Sequence, residues 1–170
     1  KKSGCIERNP SVKTSKEQKQ WWESLLENRI DVIATDHAPH TFDEKSNNYL
    51  NCPSGGPMVQ HSLSVMFEHF LNNKISLEQI VQKMCHNPAI IFKVKNRGYI
   101  RENYYADLVV VDPKKSYTVN KDNILYKCGW SPFEGTKFNS QVIYTFVNGK
   151  LVFDNGKINE AVRGKKISFE

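Results

Sequence analysis

The sequence lacks any apolar run of the roughly 18 residues that a membrane-spanning helix needs. We also expect no signal peptide, because residues 1–4 lead directly into polar sequence. It has few cysteines, which are widely separated and form no C-x-x-C pair: Cys5, Cys52, Cys85 and Cys128. We therefore expect a cytoplasmic protein with reduced thiols and no membrane partner, rather than a disulfide-stabilised one.

The excess of positive charge is not concentrated in a patch. Lys and Arg number 24 against 18 Asp and Glu, which gives a formal net charge of +6 at pH 7. Such an excess suggests nucleic acid as a partner, because phosphate neutralisation drives that binding. The basic residues are scattered among acids and amides, however, so we expect a solvated basic surface and no nucleic-acid partner.

The first third of the chain has the pattern of an α/β protein. Residues 16–28 predict an amphipathic helix with Ser15 as its N-cap. Residues 30–35 (IDVIAT) are a β-branched apolar run that is typical of a buried parallel strand. A helix followed by a buried strand is the repeating half-unit of α/β folds. Residues 41–57, rich in Asn, Ser, Gly and Pro, predict a long loop.

Three further helices are expected before residue 93. Helical periodicity covers residues 58–71. Ser76 and Gln79 have the spacing of a capping box, which predicts a second helix towards Cys85. Asn87 followed by Pro88 predicts an N-cap and first helical residue for a short third helix.

The remainder of the chain predicts β-structure. Four short apolar runs indicate strands: residues 99–100, 106–111, 142–147 and 151–153. Asn148–Gly149 is a strong signal for a type I′ hairpin, and Asn103 is expected in a left-handed turn. We therefore place a domain boundary between residues 1–92 and 93–170.

The most informative cluster follows the predicted strand. Asp36 stands where that strand would end, and the carboxyl ends of strands form the catalytic face of parallel α/β barrels. A carboxylate there can bind a metal and exchange a proton with metal-bound water. His37 and His40 could serve as ligands, acid–base groups or anion binders. A turn-capping Asp beside a packed His is the alternative that spacing alone leaves open.

Several segments resemble dihydroorotases, which are zinc-dependent cyclic amidohydrolases. Residues 34–41 (ATDHAPHT) resemble the signature at the eighth barrel strand of that family. Residues 8–14 (RNPSVKT) are similar to its Asn-Pro-Pro-Leu-Arg stretch, and residues 53–57 (PSGGP) to its substrate-contacting glycine loop. Three further segments are typical of amidohydrolases: residues 87–89 (NPA), 106–112 (ADLVVVD) and 130–135 (WSPFEG).

The resemblance implies a fold and a set of roles. Residues 1–92 would be the last strands and helices of a TIM-type (β/α)₈ barrel, and residues 93–170 part of the composite β-sandwich domain. Asp36 would ligate one zinc and act as general base and acid, and His40 would bind the substrate carboxylate. Asn9 would contact the pyrimidine ring, and Ser54 and Gly55 would meet the substrate through their backbone. Ser54 departs from the Phe or Pro of many relatives.

Four other histidines are expected to be structural, surface or packing residues: His37, His61, His69 and His86.

The activity implied is the reversible hydrolysis of (S)-dihydroorotate to N-carbamoyl-L-aspartate in de novo pyrimidine (UMP) biosynthesis. Two zinc ions would polarise the ring carbonyl and supply a bridging hydroxide, whose proton Asp36 would pass to the departing ring nitrogen. The family's His-x-His pair, its bridging lysine or aspartate and two further histidines precede this region, and no His-x-His occurs in these 170 residues. The chain alone is therefore expected to be inactive and to need an amino-terminal part of the same enzyme.

Two alternatives remain, and assembly as a homodimer is compatible with all of the interpretations. One alternative is an allantoinase- or hydantoinase-like cyclic amidohydrolase, against which His40 argues because those substrates do not demand the same carboxylate contact. The other is a catalytically dead amidohydrolase-like subunit, against which the presence of Asp36 argues.

Overall fold

The computed structural model describes residues 11–170, so Cys5 and the predicted site residue Asn9 lie outside the described residues. The helices precede residue 92: α1 (Ser15–Leu26), α2 (Phe42–Lys45), α3 (Ser62–Leu71), α4 (Leu77–Val81) and α5 (Asn87–Ile91). The strands follow: β1 (Leu108–Asp112), β2 (Tyr117–Thr118), β3 (Lys137–Phe138), β4 (Gln141–Val147), β5 (Lys150–Asp154) and β6 (Lys157–Ile158). Within that described range, no helix has the length and apolar character needed to cross a bilayer.

Helix α1 forms where the sequence predicted it, but its N-cap is Thr14 rather than Ser15. The Thr14 hydroxyl accepts a hydrogen bond from the Glu17 N–H, and the Glu17 carboxylate accepts one from the Thr14 N–H at 2.9 Å. These two hydrogen bonds form a reciprocal capping box between Thr14 and the residue three positions after it. Ser15 instead becomes the first helical residue.

The strand predicted over residues 30–35 is wrong for the chain as described. Asp31 and Ala34 are exposed, and the segment belongs to no ladder. Its backbone groups bond elsewhere: the Ile33 N–H donates to the Lys83 carbonyl at 3.1 Å, and the Asp31 carbonyl accepts from Asn87 Nδ2 at 2.7 Å. An apolar run becomes a strand only when neighbouring strands take up its N–H and C=O groups.

The loop predicted over residues 41–57 contains local helical structure. It holds α2 and a single 3₁₀ turn, Tyr49–Asn51. Thr41 and Glu44 form the capping box that starts α2, a signal that the sequence analysis overlooked.

The capping box at Ser76 is confirmed, but the helix it starts does not stop before Pro88. A π-helical segment, Gln82–His86, carries the chain from α4 into α5. Asn87 is therefore not an N-cap, since its side chain donates to the Asp31 carbonyl instead. The wider π turn accommodates a proline, which has no N–H to donate within the helix.

The β-structure is antiparallel and is mostly as predicted. A four-stranded sheet has the order β1-β4-β5-β6, and β2 and β3 form a separate pair. Asn148 and Gly149 join β4 to β5 with φ values of +51° and +78°, which confirms the type I′ hairpin. Asn103 has the expected left-handed conformation, with φ of +65°. The strand predicted at residues 99–100 is wrong, because Tyr99 stacks on the His86 ring at 4.0 Å and joins no ladder.

The chain divides into two compact units, each with its own core. The first unit comprises Lys1–Ile30, Ala34–Val65 and Thr118–Phe138, and buries Val119, Trp130 and Phe138. The second comprises Asp31–Ile33, Met66–Tyr117 and Asn139–Glu170, and its buried residues include Met66, Ile75, Ile80 and Ala89. The change from helices to strands after Ile91 agrees with the mixed α/β class. The domain boundary at residues 92 and 93 stays a prediction.

Candidate functional site

Asp36 lies in the first unit in a backbone conformation that few residues adopt. Its φ is +46°, and its side chain is exposed. Left-handed backbone is unfavourable for most L-residues, although Asp and Asn tolerate it better than others. Such conformations concentrate at functional sites, where the surrounding structure holds them in place. The carboxylate is therefore presented to solvent from a constrained turn.

His37 holds this turn against the glycine loop, defined as residues 53–57. Its Nδ1 accepts hydrogen bonds from the backbone N–H groups of Met58 at 3.0 Å and Val59 at 3.3 Å. Its own backbone forms an isolated parallel bridge with Gly56. His37 thus has the structural role that the sequence analysis predicted for it, because its accepting nitrogen is occupied by main-chain donors.

Gly55 packs directly on the segment that follows Asp36. Its φ is +108°, and a Cβ at this position would lie 2.5 Å from the Ala38 Cβ and 3.1 Å from the Ala38 carbonyl oxygen. The Ala38 N–H donates to the Gly56 carbonyl at 3.2 Å. Only glycine satisfies both the positive φ and the close approach. The two predicted motifs, distant in sequence by about 20 residues, are therefore brought into contact.

A buried lysine fixes the near end of the glycine loop. Lys45, the last residue of α2, is fully buried, and its Nζ donates to the Pro53 carbonyl at 2.6 Å. Pro53 immediately precedes Ser54, one of the residues predicted to meet the substrate. Burying an ammonium group is costly unless it is hydrogen-bonded, so this contact is a strong constraint on the loop.

His40 is partly exposed and lies beside a carboxylate. Its Nδ1 is 3.8 Å from Glu44 Oε2, which is an ion-pair distance when the imidazole is protonated. Hydrogen bonds from the Thr41 backbone N–H and hydroxyl lower the pKa of Glu44, and the His40 ring lowers it further. The carboxylate of Glu44 thus stays ionised, and an anionic ligand that bound His40 would approach by Nε2.

Residues 118–138 close the site from a distant part of the chain, which the sequence analysis did not foresee. Trp130 donates from Nε1 to the His40 carbonyl at 2.8 Å. Tyr126 accepts at its hydroxyl from the Gln60 N–H at 2.9 Å, and its ring lies 5.3 Å from that of His37. These contacts join residues 66 to 90 positions apart, so no local pattern could have indicated them.

Beneath this layer His61 is buried among aromatic rings. Its ring centroid lies 5.4 Å from Phe133 and 6.0 Å from Phe138, and its Nδ1 is 3.3 Å from the Tyr126 hydroxyl. No partner from the described part of the chain reaches its buried Nε2. Burial lowers the pKa of His61 to about 4, because a charged imidazolium would lose its hydration there. The predicted packing role of His61 is confirmed.

The described residues bring Asp36, His40, Ser54 and Gly55 into one region of the first unit, through the contacts of Ala38 and Lys45. They do not make a metal centre by themselves. Across residues 11–170 no three His, Cys, Asp or Glu side chains are grouped so as to hold an ion. Asp36 therefore offers a single carboxylate ligand.

The chain is similar to known amidohydrolases. A family model described as the amidohydrolase family matches residues 7–152. A dihydroorotase of Pyrococcus horikoshii is 34% identical over 166 residues, which are 98% of this chain and 38% of that protein. A dihydroorotase of Clostridium acetobutylicum is 34% identical over 148 residues, which are 86% of this chain and 35% of that protein. The chain thus spans little more than a third of the length of these relatives.

Solved structures give the same picture of the fold. An L-hydantoinase (dihydropyrimidinase) from Arthrobacter aurescens superimposes with a TM-score of 0.83 at 26% identity, over 92% of this chain and 36% of that one. A D-hydantoinase superimposes with a TM-score of 0.83 at 23% identity, over 91% of this chain and 35% of that one. The second likeness is a likeness of fold alone.

Proposed function

This chain belongs to the amidohydrolase family, and from that premise we propose that it forms part of a dihydroorotase. The enzyme would reversibly hydrolyse (S)-dihydroorotate to N-carbamoyl-L-aspartate, in the cytoplasmic synthesis of pyrimidines. The contact between Ala38 and Gly55 carries the proposal, because the segments that resemble the family's catalytic motif and substrate loop meet there. The name of the Pyrococcus and Clostridium relatives supports the same substrate.

The proposal includes the parts of the fold that this chain does not contain. Residues 1–92 would be the end of a (β/α)₈ barrel, and residues 93–170 part of the β-rich composite domain. Residues 30–35 would then pair with neighbouring barrel strands, since ladder hydrogen bonds need a partner on each side. The relatives are much longer than this chain, which supports an amino-terminal part that supplies those strands.

The two zinc ions implied by the resemblance do not fit the described residues alone. A zinc site needs three or more protein ligands, whereas residues 11–170 group no three candidate ligands together. Asp36 is suited to one ligand position, because its carboxylate is exposed and points from a fixed turn. The other ligands would come from the amino-terminal part of the enzyme, and the 170 residues alone would be inactive.

Asp36 would move the proton in this reaction. Its exposed carboxylate can take a proton from the attacking water at one oxygen and deliver it to the ring nitrogen as the amide bond breaks. The turn suits this role, because it fixes the backbone from which the carboxylate is presented.

The other residues would bind and orient the substrate. His40 would hold the substrate carboxylate through Nε2, a charge-assisted hydrogen bond that fixes the ring relative to Asp36. Ser54 and Gly55 would contact the substrate through their backbone, from a loop held by Lys45. Asn9 would contact the pyrimidine ring. Glu44 would help to orient the His40 imidazole, since its carboxylate lies on the Nδ1 side.

A hydantoinase-like activity is the second candidate, and the Arthrobacter structure favours it. Hydantoins and dihydrouracil also have a ring amide that hydrolysis opens, but they lack the carboxylate of dihydroorotate. The third candidate, a catalytically dead subunit, would hydrolyse neither ring. The three candidate functions can therefore be distinguished by comparing turnover of substrates with and without that carboxylate.

The test compares dihydroorotate with dihydrouracil, which lacks the carboxylate, in the complete enzyme and its His40→Ala variant. Loss of a hydrogen bond to a charged group costs about 1.5–3 kcal/mol, so kcat/KM for dihydroorotate should fall roughly ten- to a hundredfold. Dihydrouracil never makes that contact, so its kcat/KM should change much less.

His69→Ala provides the matched control, because it removes an imidazole from α3 that has no predicted part in binding. An equal loss for both substrates would give His40 a structural role instead. A wild-type preference for dihydrouracil would point to the hydantoinase-like activity, and no turnover of either substrate to a dead subunit.

A further inference from the structure

The His40 backbone is held from both sides. Its N–H donates to the Ala38 carbonyl at 3.1 Å, and its carbonyl accepts from Trp130 Nε1 at 2.8 Å. The next residue, Thr41, is fixed as the N-cap of α2 by its capping box with Glu44. When both peptide groups of a residue are fixed, the direction of its Cα–Cβ bond is fixed too, and only the χ angles remain free.

Trp130 is a buried residue whose indole N–H donates to the His40 carbonyl. It is 5% exposed, and its ring makes a T-shaped contact with Phe42, the first residue of α2, at 6.3 Å between centroids. A buried indole needs an acceptor for its N–H. Any free carbonyl would satisfy that need, yet the acceptor is the carbonyl of the residue proposed to bind the substrate.

We propose that Trp130 is a positioning residue for dihydroorotate, which acts by fixing the backbone from which the His40 imidazole reaches the substrate carboxylate. This inference rests on the proposed function. Trp130 makes no contact with the substrate in this scheme, and its whole effect on binding passes through His40.

The geometry explains why a distant indole would serve better than a local contact. The turn that contains Asp36 and His40 has the left-handed residue at one end and α2 at the other. Without the bond to its carbonyl, the peptide between His40 and Thr41 would be held only at the Thr41 N–H, which donates to Glu44 at 2.7 Å, and the imidazole could shift with it. The indole comes from a buried, packed position, so it fixes the peptide without adding a second charge near the carboxylate-binding group.

The experiment uses the complete enzyme with Trp130→Phe, which keeps an aromatic ring beside Phe42 and removes the donor. Loss of one neutral hydrogen bond corresponds to about a two- to tenfold effect. We expect that increase in KM for dihydroorotate, with kcat nearly unchanged and with no change in KM for dihydrouracil. Trp21→Phe, the same change at an exposed position of α1, should alter neither constant.

A double-mutant cycle separates positioning from general support. If Trp130 acts through His40, Trp130→Phe should have no further effect on KM in the His40→Ala background. A second variant with 3-benzothienylalanine at position 130 keeps the bicyclic shape without the N–H, so the cycle can be measured even where Trp130→Phe fails to fold. If the effects of Trp130→Phe and His40→Ala on KM were additive in an active enzyme, the positioning role would be overturned, while the proposed function would stand. A wild-type enzyme that does not turn over dihydroorotate would overturn the proposed function, and this inference with it.

Discussion

The two compact units are ordered in different ways. In the first unit, much of the described chain between α1 and β3 is irregular, and side chains hold it: His37 binds two N–H groups, Lys45 a carbonyl, and Trp130 another. In the second unit, the backbone N–H and C=O groups bond to one another within helices and within a four-stranded sheet. The candidate site lies in the unit with the less regular backbone. Irregular backbone can present a carboxylate from a strained turn, which a regular helix or strand cannot do.

The largest expected effect is a loss of turnover without a loss of stability, on substitution of Asp36 in the first unit. Asp36→Asn in the complete enzyme should lower kcat by about 10²- to 10⁴-fold, the usual contribution of a general acid–base group. Asparagine also tolerates a φ of +46°, so the melting temperature should stay close to that of the wild type. Steady-state kinetics and thermal unfolding measure the two quantities.

Asp43→Asn is the matched control, since it neutralises another exposed carboxylate in the neighbouring helix α2. If Asp36→Asn retained more than a tenth of wild-type turnover, Asp36 would not be the proton carrier.

A smaller effect concerns the pH dependence of stability, to which the buried imidazole of His61 should contribute. The pKa of His61 is about 4 in the folded protein and about 6.5 in an unfolded chain. Between these values the unfolded state binds more protons, so stability falls as the pH is lowered from 6.5 to 4. The loss approaches about 3 kcal/mol by linkage. Denaturant unfolding at several pH values, monitored by tryptophan fluorescence, should show this slope.

His61→Phe supplies the comparison, because phenylalanine can pack against Phe133 and Phe138 but does not titrate. Its stability should vary less between pH 4 and 6.5. Identical slopes for the variant and the wild type would show that His61 does not cause the dependence.

The smallest expected effect comes from removing one helix cap in each of the two units. Ser76→Ala removes the cap of α4 in the second unit and should cost about 1 kcal/mol of stability, with kcat/KM unchanged. Thr41→Ala removes the cap of α2, next to His40, and should raise KM for dihydroorotate as well. Thermal unfolding and steady-state kinetics of the two variants provide the comparison. A change in KM for Ser76→Ala as large as for Thr41→Ala would remove the distinction between the units.

The same difference explains which features could be predicted from sequence. The Ser76 cap and the Asn148–Gly149 hairpin depend on neighbours within a few residues, so their patterns are legible in the sequence. The strand at residues 30–35 was predicted from its apolar character, but pairing depends on strands elsewhere in sequence.

Within the candidate site, the motif resemblance was enough to single out Asp36, His40 and Gly55, and the contact at Ala38 agrees with that grouping. The roles of these residues stay predictions. Trp130 was singled out only as part of residues 130–135, and its contact with His40 could not be predicted. The same holds for Lys45, because backbone carbonyl acceptors have no sequence signature.

The hydrogen bond between Trp130 and His40 can form only late in the synthesis of the chain. The two residues are 90 positions apart, so the carbonyl of His40 has left the ribosome's active centre long before the indole exists. At a synthesis rate of 5–20 residues per second, this interval is about 5 to 20 s. Throughout it, the nascent turn around Asp36 has no indole to hold it and is open to chaperones and proteases. We therefore expect this turn to become protected only after residue 130 has been synthesised.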